Sequence, residues 1–251
     1  MNIEKLKSLY QNTSKHSNYQ ILPNCLKPFI DTNDLVINSR FEAERLEFLK
    51  AQVDFKDKKV VDIGGNTGYF TFQFIEEGAR EVDYIEGNKE HSEFVKFAAE
   101  DLNLNINVFN NYLNFDDAST FSTDVDIVLL FNVIHHLGDD FGDQTISMEN
   151  AKTLMANSIN YFHGKTDTLI LQMGFCWKGD RNLLLFENGT KEEMIDFVKK
   201  AVEGKWNIQA IGVAEIEDDK TVFNLLNDSN IKRSDAMGEF RNRPIFILKA
   251  V

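Results

Sequence analysis

Residues 60–70 read Val-Val-Asp-Ile-Gly-Gly-Asn-Thr-Gly-Tyr-Phe, and a second apolar run from Val82 to Ile85 ends in Glu86. An apolar strand that enters a glycine-rich turn and then opens a helix narrows the fold more than any other stretch. Glycine lets a backbone approach a ligand closely, and an acid at the tip of the next strand can accept from two adjacent hydroxyls. The order is Asp-x-Gly-x-x-x-Gly, with Asp62 ahead of Gly64 and Gly68, and Glu86 stands 24 positions after Asp62. It is not Gly-x-Gly-x-x-Gly, whose helix N-terminus holds a pyrophosphate. The spacing therefore disfavours a nicotinamide oxidoreductase.

Strand and helix signals alternate from residue 58 onward. Strands are expected at 59–63, 82–86, 106–109, 125–131, 168–173, 207–213 and 244–248. The fourth is nearly all apolar, as a parallel strand buried on both faces should be. Helices are expected at 69–77, 89–102 and 149–162, and Thr190 with Glu193 has the spacing of a capping box that opens another. This alternation specifies a doubly wound α/β sheet. Residues 1–57 precede it as an N-terminal extension with a helix from about Phe41, and 58–251 form the main domain. Residues 217–242, rich in Asp and Asn, are expected to be a lid.

Asp62, Gly64, Gly68 and Glu86 resemble the cofactor motif of the class I S-adenosylmethionine-dependent methyltransferases. The family pattern is Asp/Glu-x-Gly-x-Gly-x-Gly, and here Asn66 replaces the middle glycine. Asn is the side chain that best tolerates positive φ, so the turn survives. The resemblance implies a Rossmann-like, seven-stranded, mostly parallel sheet with its last strand inserted antiparallel. It also implies S-adenosyl-L-methionine as cofactor, held by Asp62, Gly64, Gly65, Asn66, Gly68 and Glu86. After the third strand come Asn110 and Asn111, where the family contacts the adenine. A plain turn fits this pair equally well, and Asn111 is the candidate contact.

After the fourth strand comes Asn132-Val-Ile-His135-His136-Leu-Gly-Asp139-Asp140. It resembles the family's Asn-Val-Leu-His-His-Leu stretch, which implies Asn132 beside the cofactor and His135 and His136 beside the methyl acceptor. A neutral imidazole is suited to take a hydroxyl proton as attack proceeds. The resemblance favours His136 of the two. Asp139, Asp140 and Asp143 match no compact metal motif and read as a solvated acidic loop, so no metal is expected. After the fifth strand, Trp177, Lys178 and Arg181 form a candidate clamp for an anionic, ring-bearing substrate. Cys176 reads as packing.

The chain has 27 Lys+Arg against 40 Asp+Glu, a net charge of −13. That balance disfavours a long nucleic-acid partner. Lys232, Arg233, Arg241 and Arg243 read as a solvated loop. No run of about 18 apolar residues marks a membrane span. Two distant cysteines, Cys25 and Cys176, form neither a disulfide framework nor a zinc site. A cytoplasmic protein is expected, and a homodimer is left open. A weaker resemblance, to bacterial enzymes that O-methylate sugars of surface polysaccharides, implies a small, anionic, sugar-containing acceptor. The alternatives are a tRNA-modifying methyltransferase-like enzyme and a catalytically silent S-adenosylmethionine-binding partner subunit.

Overall fold

The computed structural model describes residues 1–11, 18–115, 117 and 124–251. The chain divides into two compact units, Met1–Leu113 and Asn114–Val251.

In the first unit, β1 (Lys59–Ile63), β2 (Glu81–Ile85) and β3 (Ile106–Phe109) pair in parallel, with β2 between the other two. Parallel neighbours need crossovers, supplied by α3 (Tyr69–Glu76) and α4 (Lys89–Leu102). Gly68, left-handed at φ +77°, precedes α3. The Asn88 side chain accepts from His91 N–H at the start of α4, and Asn103 closes that helix in the left-handed region. The N-terminal segment contributes α1 (Ile3–Gln11) and α2 (Glu42–Gln52); residues 12–17 of that segment lie outside the described residues. Leu6 and Tyr10 of α1 join Leu22, Leu26 and Ile30 in a core cluster with Phe94, Val95 and Ala98 of α4.

The second unit holds β4 (Val125–Phe131), β5 (Thr166–Gln172), β6 (Trp206–Glu217), β7 (Lys220–Leu225) and β8 (Ile245–Ala250). Its helices are α5 (Met148–Asn160), α6 (Lys191–Val202) and the short α7 (Gly238–Arg241). The capping box of Thr190 and Glu193 is present at the start of α6. Strands β4 and β5 are parallel, and the final strand β8 inserts antiparallel between β5 and β6, as expected.

One expectation is corrected. The described residues form eight strands, not seven. The extra strand, β7, pairs antiparallel with β6 in a segment expected to be a lid. The Asp218 and Asp219 between them both have positive φ, +47° and +63°. A two-residue loop with both φ positive matches the twist of paired strands. The acidic pair is therefore a hairpin turn.

Candidate functional site

The glycine-rich turn of the first unit is built on left-handed backbone. Gly64, Asn66 and Gly68 have φ of +67°, +54° and +77°. Asn66 thus takes the conformation of the glycine it replaces. Gly64 N–H donates to Ile85 O at 2.8 Å, which ties the turn to the end of β2. Glu86 then fastens both loops with one carboxylate. Its Oε2 accepts from Asn66 N–H at 2.9 Å and its Oε1 from Asn88 N–H at 2.7 Å. An ionised carboxylate has about four acceptor sites, more than these two bonds use.

Asp62 and Gly65 sit underneath. Asp62 is fully buried and accepts from Thr71 Oγ1 at 2.6 Å. Burial pushes its carboxyl up to about 7, against the pull of the Thr71 hydrogen bond, with the Glu86 charge adding to the rise. A Cβ on Gly65 would lie 2.5 Å from the Tyr84 ring, so this glycine answers to packing. The Tyr84 hydroxyl in turn donates to Asn66 O. Of the asparagine pair, Asn110 is the structural one: its Nδ2 reaches Glu86 O at 2.9 Å and Ser92 Oγ at 3.1 Å. Asn111 is exposed, with Nδ2 on Tyr112 O at 3.1 Å.

Gln20 gave no local sequence signal. Its Oε1 accepts from Tyr69 N–H at 3.0 Å and from Thr67 Oγ1 at 3.2 Å, capping the start of α3. Its own carbonyl accepts the Tyr10 hydroxyl, and Arg40 stacks over Tyr19 at 4.5 Å. The N-terminal segment thus closes on the glycine-rich turn. Ser39 and Arg45 of the N-terminal segment both bond to the buried Glu42.

In the second unit the two histidines have different surroundings. His135 is buried, and its Nδ1 accepts from Gly174 N–H at 3.1 Å. In that tautomer a neutral ring carries its proton on Nε2 and acts there as a donor. His136 is less buried, and its Nδ1 lies 3.3 Å from Asp140 Oδ2 and 3.9 Å from Asp139 Oδ2. The acidic pair therefore abuts His136. Ligand atoms of His136, Asp139 and Asp140 all lie within 4.8 Å of one another, so these three could hold a divalent cation.

Trp177 and Lys178 join the same loop cluster. Trp177 is buried, and its Nε1 donates to Leu137 O at 2.7 Å. Its ring carries the Lys178 ammonium at 4.4 Å. Lys178 itself is left-handed at φ +57°, a strained state for a long side chain. Arg181 is exposed beyond this turn. Cys176 is buried, and burial raises its thiol, as expected for packing.

Arg243 and Arg233 correct the expectation of a solvated basic loop. Arg243 is buried, donating to Asn132 Oδ1 at 2.8 Å and to both Glu239 oxygens at 3.0 and 2.5 Å. Arg233 donates to Gly189 O at 2.6 Å and lies over the Phe175 ring at 5.1 Å. Asn132 is left-handed at φ +60°, and its Nδ2 donates to Gln172 Oε1 at 3.1 Å. Both functional atoms of that amide are thus engaged within the second unit.

No family model and no curated protein sequence matches the chain. Solved structures do. The bifunctional kinase-methyltransferase WbdD is 14% identical with a TM-score of 0.59, over 97% of this chain and 46% of that one. This chain therefore spans less than half the length of WbdD. A Listeria monocytogenes protein provisionally named an S-adenosylmethionine-dependent methyltransferase is 13% identical with a TM-score of 0.52, over 83% and 99% of the two chains. A Streptococcus thermophilus protein provisionally named a hemolysin is 14% identical with a TM-score of 0.53, over 86% and 68%. At these identities the likeness is one of fold, and the chain has the fold of class I methyltransferases. Among the described residues, no helix is long and apolar enough to cross a membrane.

Proposed function

We propose that the chain is an S-adenosylmethionine-dependent methyltransferase. The observation that carries this reading is the left-handed turn of Gly64, Asn66 and Gly68, with Glu86 bonded to both Asn66 N–H and Asn88 N–H. Such a turn admits a ligand against bare backbone, and such a carboxylate can take two ribose hydroxyls. When bound, the cofactor supplies a methyl group activated by a sulfonium. Asp62 and Gly65 hold the turn from beneath, and the exposed Asn111 is assigned to the adenine edge. Asn132, engaged by Gln172 and Arg243, is assigned a supporting part.

His136 is assigned as the base. Asp140 faces its Nδ1, so Nε2 takes the acceptor proton. His135 orders the loop through Gly174 N–H. The acceptor is read as a small anionic molecule, such as a sugar or sugar nucleotide hydroxyl of surface polysaccharide synthesis. Lys178 and Arg181 offer the cations, and Trp177 serves as a prop beneath Lys178. The net charge of −13 weighs against tRNA. A silent cofactor-binding subunit would not need His136 set against Asp140. The test has two stages. S-adenosylmethionine, and not NAD, should raise the melting temperature; methyl transfer is then screened over sugar nucleotides, small acids and tRNA. A shift with NAD alone overturns the cofactor, and turnover on tRNA alone overturns the acceptor.

A further inference from the structure

The ends of β4 and β5 are joined by a polar network in which one cation takes several parts. Arg243 stands 111 positions from Asn132 in the sequence, yet its Nη1 donates to Asn132 Oδ1 at 2.8 Å. Its Nε and Nη2 grip Glu239 at 3.0 and 2.5 Å. Its own carbonyl accepts from Gln172 Nε2 at 3.0 Å. Glu239 passes the hold onward, because its Oε1 accepts from Phe175 N–H at 3.2 Å. Burial pushes the Glu239 carboxyl up, but the Arg243 charge and these hydrogen bonds keep it below its ordinary range. The pair is thus an ionised, bidentate clamp.

The clamp holds the two chain segments that set His135. Asn132, at φ +60°, is the left-handed residue that turns the chain from β4 toward the histidines. Gly174, next to the clamped Phe175, gives its N–H to His135 Nδ1. A Cβ on Gly174 would lie 2.8 Å from His135 Nε2 and 3.1 Å from Arg243 Nη2, so imidazole and guanidinium both crowd this glycine. The His135 and His136 rings, with centroids 4.3 Å apart and planes tilted by 42°, are in contact and carry the constraint to the residue assigned as base.

We propose that Arg243 is a positioning residue for methyl transfer, acting through Asn132 and Glu239 to fix the His135–Gly174 contact and with it His136. The inference rests on the methyltransferase reading, so its test includes an arm that needs no turnover. In Arg243→Lys the charge stays but the planar fork is lost, and one ammonium cannot serve Asn132 and both Glu239 oxygens in the fork's geometry. Expected for Arg243→Lys is a kcat about 10- to 100-fold lower, with acceptor KM and S-adenosylmethionine Kd within about twofold of wild type. Guanidinium ion at millimolar concentration should restore part of the lost rate in Arg243→Ala. Where Arg243→Ala does not fold, Glu239→Gln replaces it and should show a smaller fall of the same kind.

The second arm is long-range ¹H–¹⁵N correlation of the histidine rings. Wild-type His135 should show one fixed Nε2–H tautomer, and Arg243→Lys should show tautomer averaging. A purely structural pair would lower the melting temperature, leave kcat per folded molecule unchanged and give no guanidinium rescue. Unchanged kcat with unchanged His135 signals overturns the proposal. Absence of turnover by the wild type on every acceptor overturns the methyltransferase reading instead, and the ring spectra then decide the clamp alone.

Discussion

His135 and Gly174 are joined by a hydrogen bond in which the imidazole is the acceptor, Gly174 N–H to Nδ1 at 3.1 Å. That direction separates two adjacent histidines that only the family resemblance had ranked. A ring accepting on Nδ1 has its other nitrogen protonated when neutral. His136→Ala should therefore lower kcat by about 10²–10⁴ while leaving cofactor affinity nearly intact. His135→Ala should lower the melting temperature as well as the rate. The measurements are steady-state kinetics, calorimetric titration and thermal unfolding of both variants. Equal kcat in His136→Ala and wild type would remove the base assignment.

A chelator separates two roles for the same imidazole. If His136 is a base set by Asp140, EDTA should leave the rate unchanged. Loss of activity in EDTA, restored by a divalent cation, would make His136, Asp139 and Asp140 ligands instead.

Glu86 predicts cofactor affinity. Glu86→Ala should weaken S-adenosylmethionine binding by about 1–3 kcal/mol, roughly 5- to 150-fold. Part of that loss comes from Asn66 and Asn88, whose N–H groups it holds. Glu86→Gln keeps acceptor capacity on one side and should lose less. Isothermal titration of both variants tests the order, and equal affinity in all three proteins would refute the ribose role.

Asp62 predicts a pH dependence of stability. Its folded carboxyl is pushed up to about 7 by burial, well above the ordinary value near 3.8. The folded state therefore binds this proton more tightly than the unfolded state does. The stabilisation is complete below the unfolded value and is lost as pH rises through about 7. Asp62→Asn keeps an acceptor for the Thr71 hydroxyl and removes the titration. Its melting temperature should gain on that of wild type between pH 5.5 and 8.5. Parallel curves across that range would show that Asp62 does not carry the slope.

Gly65 predicts a packing cost. An alanine there would place its Cβ 2.5 Å from the ring of the buried Tyr84. Overpacking of this kind costs about 1–3 kcal/mol. Urea unfolding of Gly65→Ala should show that loss. Tyr84→Leu combined with Gly65→Ala should lose less than the two single changes added together.

What the sequence disclosed followed period and local chemistry. The helix from Lys89 to Leu102 and the strand from Val125 to Phe131 stand where their spacing placed them. The left-handed Asn66 was foreseeable from the resemblance, because it stands where the family pattern has a glycine. The strand Lys220–Leu225 was hidden because Asp218-Asp219 looks like acidic loop and is a hairpin turn. Gln20 and Arg243 were not legible at all. Gln20 bonds to Tyr69 across 49 positions and Arg243 to Asn132 across 111, spans that no short-range pattern encodes; only the Arg243–Glu239 pair, four positions apart, has a local spacing. Trp177 was expected to belong to a substrate clamp after the fifth strand; its burial and its bond to Leu137 depend on how that loop folds back and carry no local signal.

The bond from Tyr69 N–H to Gln20 has a consequence for the order of folding. Strand β1, the glycine turn and helix α3 are close in sequence and can form among themselves, because short loops close fast. The first turn of α3 nevertheless lacks an acceptor until the chain near residue 20 returns across 49 positions. Closing that longer loop carries an entropic delay. During synthesis, residue 20 leaves the ribosome first and must wait for its target. A refolding experiment that follows turn formation and Tyr10 burial separately should then show two clocks, with competence to bind ligand running on the slower one.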